Sequence, residues 1–67
     1  MNMYITLNSV GCVLDTETKL THPQNKNGGF NKFDSEAVHI NECSDEWWQS
    51  LSYLDKLQVF KYKYSNS

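Results

Sequence analysis

The side chains best equipped for chemistry are two cysteines and two histidines, Cys12, His22, His39 and Cys43, with three close carboxylate pairs. Four nitrogen and sulfur donors suffice for tetrahedral zinc, but structural zinc sites draw ligands from short pairs, Cys or His about two to five residues apart. Only His39 and Cys43 approach that spacing; Cys12 and His22 could meet only across a hairpin. Zinc held by Cys12, His22, His39 and Cys43 is therefore the subordinate reading. The expectation is no metal and no cofactor, with both cysteines as free, small, largely apolar side chains.

Nucleophilic chemistry has little to stand on. Cys43 precedes a helix start, which favours a thiolate, but Asp45 and Glu46 beside it act the other way. No third group orients a Cys–His pair, and 67 residues leave little room for a substrate pocket of several hundred Å³. The pairs Asp15/Glu17, Asp34/Glu36 and Asp45/Glu46 fall in turns or at a helix start, where solvation and capping account for them. Calcium-loop spacing is absent, and the glycines of PQNKNGG fit neither phosphate-binding pattern. The chain is expected not to be an enzyme.

Charge narrows the partners. Eight acids oppose six basic residues, all of them lysine, for a net charge of −2. Arginine supplies the bidentate contacts to phosphate and guanine, and nucleic-acid binders carry a basic face. Nucleic-acid binding is not expected, and −2 is too small for a DNA mimic. MNMYITLNSVGCVL lacks the basic start and the apolar run of about 7–15 residues that mark a secretory leader. No stretch approaches the ~20 apolar residues of a membrane span. A cytoplasmic protein with reduced thiols and no membrane contact is the expectation.

These residues must be held by one small α+β domain over 1–67, mainly β over 1–43 with a loop at 23–35, helical over 44–64, and frayed at 65–67. Residues 3–7 (MYITL) alternate apolar and polar, as a half-buried strand does. Residues 10–14 (VGCVL) resume the alternation, with Gly11 suggesting a bulge or a close backbone approach. GCVLD-TET-KLTH reads as a hairpin whose return strand Pro23 ends. Residues 36–41 (EAVHIN) read as a further strand, with Val38 and Ile40 on one face. The result is a small antiparallel sheet of three to four strands covered by C-terminal helix.

Two helix starts follow in quick succession. Ser44 is a good N-cap with acids in the first turn, and SYLD, Ser52 to Asp55, has the capping-box pattern. At 100° per residue, Trp47, Leu51 and Leu54 share one stripe, and Tyr53, Leu57, Phe60 and Tyr64 share another. A break near residues 50–52 lets both stripes face one sheet, so two helices are expected rather than one.

Nine aromatic residues are a heavy load for this length. Each buried ring adds about 150–250 Å² to a core that is marginal at this size. Adjacent Trp47 and Trp48 point ~100° apart on a helix. Trp47 is expected in the core and Trp48 at its edge. Trp48, Tyr53, Tyr62 and Tyr64 are the candidate interface residues, since Trp and Tyr dominate binding hot spots.

CVLDTET, the Pro and Asn-Gly loop HPQNKNGGF, a hydrophobic strand and SDEWWQSLSYLDK occur in that order. Over most of residues 10–57 this resembles the small proteins encoded by marine tailed phages, particularly those infecting cyanobacteria. The shared motif is E-W-x-x-x-L with an upstream N-G. The resemblance implies a phage product made in a bacterial host, binding and modulating or inhibiting a host protein; it carries over no catalytic residue. The functional expectation is a small non-enzymatic protein-binding module, with a homo-oligomeric or virion-associated accessory protein as the alternative.

Overall fold

The computed structural model describes residues 3–63. Four strands, β1 (Tyr4–Leu7), β2 (Cys12–Asp15), β3 (Leu20–Pro23) and β4 (Val38–His39), pair antiparallel in the order β1-β2-β3-β4. A 3₁₀ turn (Ile40–Glu42) leads to helices α1 (Asp45–Ser50) and α2 (Tyr53–Lys63). The fold is α+β, with the sheet first and two helices after it. The predicted positions 64–67, Tyr64 and the tail among them, lie outside the described residues.

Register decides which residues share a face. Ile5 pairs with Leu14, Leu14 with Thr21 and Thr21 with Val38, while Leu7 pairs with Cys12 and Cys12 with Pro23. Directly paired residues project to the same side of a sheet, so these seven form the face under the helices. There Leu7, Leu14, Ile40, Leu51 and Val59 make the core, flanked by Ile5, Val10, Trp47, Trp48 and Tyr62. On the opposite face lie Val13 and its partner His22, both buried, with Asp15 beside them. Phe30 roofs that side, its ring 4.9 Å from Tyr4 and 5.3 Å from His22.

Turn chemistry fixes the hairpins. Gly11 does not make a bulge: at φ +63° it completes the β1–β2 turn, and pairing begins one residue later at Cys12. Only glycine takes that conformation without steric cost. In the β2–β3 turn Asp15 Oδ1 accepts from the N–H groups of Glu17 (2.9 Å) and Thr18 (3.3 Å), which satisfies its buried carboxylate. The loop after β3 winds around Asn25, whose Oδ1 accepts from Asn27 and Gly29 N–H, each at 3.0 Å. Gln24 bridges to Phe30, and so the loop delivers the Phe30 ring beneath the sheet.

The predicted strand over 36–41 is shorter than its alternation suggests. Only Val38 and His39 pair; the chain then tightens into the 3₁₀ turn, which carries Ile40 into the core. His39 Nδ1 accepts from Asn41 N–H (3.1 Å) and caps that turn. A side chain competing for backbone hydrogen bonds ended the strand.

The helices break where expected. Ser44 Oγ accepts from Trp47 N–H (3.2 Å), and extended Leu51 stops α1 while burying its side chain. Ser52 Oγ accepts from Asp55 N–H (3.2 Å), which is half of the capping box. The other half is made by Ser9, in the β1–β2 turn. Its hydroxyl donates to Asp55 Oδ2 (2.6 Å), its N–H donates to the same oxygen (3.2 Å), and its Oγ accepts from Ser52 N–H (2.9 Å).

Candidate docking surface

The residues of α2 separate into two opposed sides. Val59 is buried and Tyr62 packs on the core. At 100° per residue, Tyr53, Leu57 and Phe60 lie on the far side of the helix from them. Tyr53 is 75% exposed, Leu54 71%, Leu57 44% and Phe60 42%. The expectation that both apolar stripes face the sheet is therefore corrected. Val59 takes the inward position, and Leu54, assigned to the core stripe with Trp47 and Leu51, points outward. The Ser9 clamp sets this rotation, because Asp55 must face the β1–β2 turn.

Beside this outward strip runs a groove between α1 and α2 of about 330 Å³, lined by Asp45, Trp48, Gln49, Lys56, Phe60 and Lys63. The Trp48 ring is half-buried there. It meets Trp47 edge-on at 5.8 Å and 89°, and lies 5.3 Å from Phe60. Lys63 Nζ sits 4.0 Å above it, close enough for cation–π attraction. The strip and groove adjoin at Phe60 and carry Lys56, Lys61 and Lys63, with Asp45 of α1 also lining the groove. Asp55, the acid of α2, is engaged with Ser9.

The four candidate interface residues fall differently. Tyr53 is on the exposed strip and Trp48 forms the groove floor. Tyr62 is half-buried against the core, with Lys19 Nζ 5.1 Å from its ring centroid. Tyr64 lies outside the described residues. Leu54, Leu57 and Phe60 join the surface although sequence periodicity placed them inward. Both tryptophans pack on the core, so the expected division between a core Trp47 and an edge Trp48 is blurred.

The metal-capable residues do not converge as a set of four. His22 and Cys12 lie on opposite faces of the sheet, since Cys12 pairs with Pro23 and His22 with Val13. Among the described residues, no three His, Cys, Asp or Glu side chains are grouped to hold a metal. His22 is buried, and neither ring nitrogen has a hydrogen-bond partner. Cys43 meets His39 only through the backbone, donating from sulfur to its carbonyl at 3.6 Å.

Cys12 and Cys43 share a cavity of about 340 Å³, which they line with Thr21, Val38, Trp47, Glu36 and Glu42. Burial pushes the Cys12 thiol above its ordinary range, against donation from Trp47. Burial raises Cys43 too, eased by the Thr21 hydroxyl 4.0 Å away and by Lys63, and reinforced by Cys12 and Glu42.

Among the described residues no helix is long and apolar enough to cross a membrane. Comparison with known proteins gives no significant match to any family model, curated protein or solved structure.

Proposed function

We propose that this chain is a non-enzymatic protein-binding module whose docking surface is the outward face of α2 with the adjoining Trp48 groove. One observation carries the reading: Tyr53, Leu54, Leu57 and Phe60 are exposed on a helix whose other side already supplies the core. A patch of several hundred Å² with a polar border is characteristic of an interaction site. The lysines on it suit an apolar partner surface with an acidic rim. Its resemblance to small proteins of marine tailed phages supports a partner in the bacterial host, a host enzyme, defence factor or transcription component that the protein modulates or inhibits, within the host cytoplasm.

The test is site-specific photo-crosslinking in the bacterial host. A photoreactive phenylalanine analogue at position 57 or 53 should give one discrete adduct with a host protein, and the same group at position 26 should not. Equal adducts from all three positions, or none, would contradict the reading.

A second reading, a homo-oligomeric or virion-associated accessory protein, is favoured by the small core, a cluster of five buried apolar side chains among the described residues. It predicts adducts between two copies of the chain, and a stability that rises with protein concentration. Lysines facing lysines across an α2–α2 contact weigh against it.

A further inference from the structure

The cavity that unites Cys12 and Cys43 is independent of the docking face. Cys12 opens β2, and Cys43 follows the 3₁₀ turn, 31 positions later in the chain. Strand register places Cys12 and Thr21 on one face of the sheet, and Thr21 Oγ1 lies 4.0 Å from Cys43 Sγ. Two half-buried free thiols from separate elements thus line one cavity together with two glutamates.

We propose that Cys12 and Cys43 form a two-thiolate site for a single soft d¹⁰ cation of the cuprous class. Thiolates select soft cations such as Cu(I) over hard ones. A zinc ion wants four ligands, and this cavity is lined by two cysteines and no histidine: His22 is on the other face and His39 Nδ1 is engaged by Asn41. Cu(I) is satisfied by two sulfurs in a line. Glu36 and Glu42 also line the cavity and attract a cation, and donation from Trp47 favours the Cys12 thiolate. On binding, two S–H bonds break and two S–Cu bonds form. Two protons leave to solvent, and no oxidation state changes. Since burial keeps both thiols protonated at neutral pH, affinity should rise about a hundredfold per pH unit there, one decade for each proton released.

The experiment is anaerobic titration with Cu(I) against the competing chelator bicinchoninate. We expect one copper per chain, retained by a monomer in native mass spectrometry, with quenched tryptophan emission. Cys12→Ser and Cys43→Ser should each weaken binding at least a hundredfold while circular dichroism stays unchanged. Copper-edge X-ray absorption of the wild-type complex, which does not depend on the variants folding, should show two sulfur neighbours. Failure to compete with the chelator, single-cysteine variants that bind like wild type, or copper bridging two chains would each overturn the proposal.

Discussion

The hydroxyl of Ser9 donates to Asp55 Oδ2 at 2.6 Å, joining the first turn of the sheet to the first turn of α2. A serine from 46 positions away thereby completes a helix cap that the local sequence only half makes. The same bond orients α2, placing Val59 inward and Leu57 outward. The exposed apolar strip of α2 follows from it.

Ser9→Ala removes the hydroxyl's donor and acceptor bonds at once. It should cost about 1–2 kcal/mol, the range of a lost helix cap or charge-assisted bond. Urea denaturation of Ser9→Ala, Asp55→Ala and the double variant would show the two losses to be non-additive. Strict additivity would mean that the pair is not coupled.

His22 offers a change in the opposite direction. Its ring is buried against Phe30 with both nitrogens unpartnered. A buried polar group without a hydrogen bond costs about 1–3 kcal/mol. His22→Leu is expected to raise the denaturation midpoint; a loss of more than about 1 kcal/mol would reveal a partner for the ring.

The core and the outward side of α2 should respond differently to truncation. Leu14→Ala empties a fully buried site and should cost about 2–5 kcal/mol. Leu57→Ala lies on the exposed strip and should change stability by no more than about 0.5 kcal/mol. Comparable losses would place Leu57 in the core.

Trp47 and Trp48 should share their burden. Each is half-buried and packed on the core, and the rings contact each other. Both Trp→Ala variants should lose stability, and the double variant should lose less than their sum. An intact fold in Trp48→Ala alone would restore the sharper division expected from the sequence.

The thiols set an alkaline limit. Both are raised from an ordinary value of 9.0, chiefly by burial, so folding favours their neutral forms. Their contribution is fully present below that value and is lost as pH rises through the raised values. The stability of wild type relative to Cys12→Ala/Cys43→Ala should therefore be constant from pH 7 to 8 and fall above pH 9. A flat difference throughout would mean that the thiols titrate as in the unfolded chain.

Much of the fold is legible in short-range patterns. The alternation of MYITL, the polar TET turn, Pro23, and serine starts at Ser44 and Ser52 mark strands, a hairpin and two helices close to their true bounds. Long-range choices are not. Nothing local to SYLD indicates that Ser9 would complete the cap, and without that clamp the rotation of α2 is undetermined. Periodicity gives two apolar stripes, and the inward side went instead to Val59 and Tyr62. Likewise His39 is the strand residue its alternation suggests, but nothing local indicates that its ring also caps the next turn. Cys12 and Cys43 line one cavity with Thr21 of β3 between their elements, a neighbourhood set by register.

The central claim is that the outward face of α2 serves binding and not folding. It is tested most directly by calorimetric titration of the crosslinked host partner, purified, into wild-type and Leu57→Asp protein with urea midpoints measured in parallel. The account predicts nearly equal midpoints and at least a hundredfold weaker binding by Leu57→Asp. Equal affinities, or a Leu57→Asp protein that no longer folds, would contradict it.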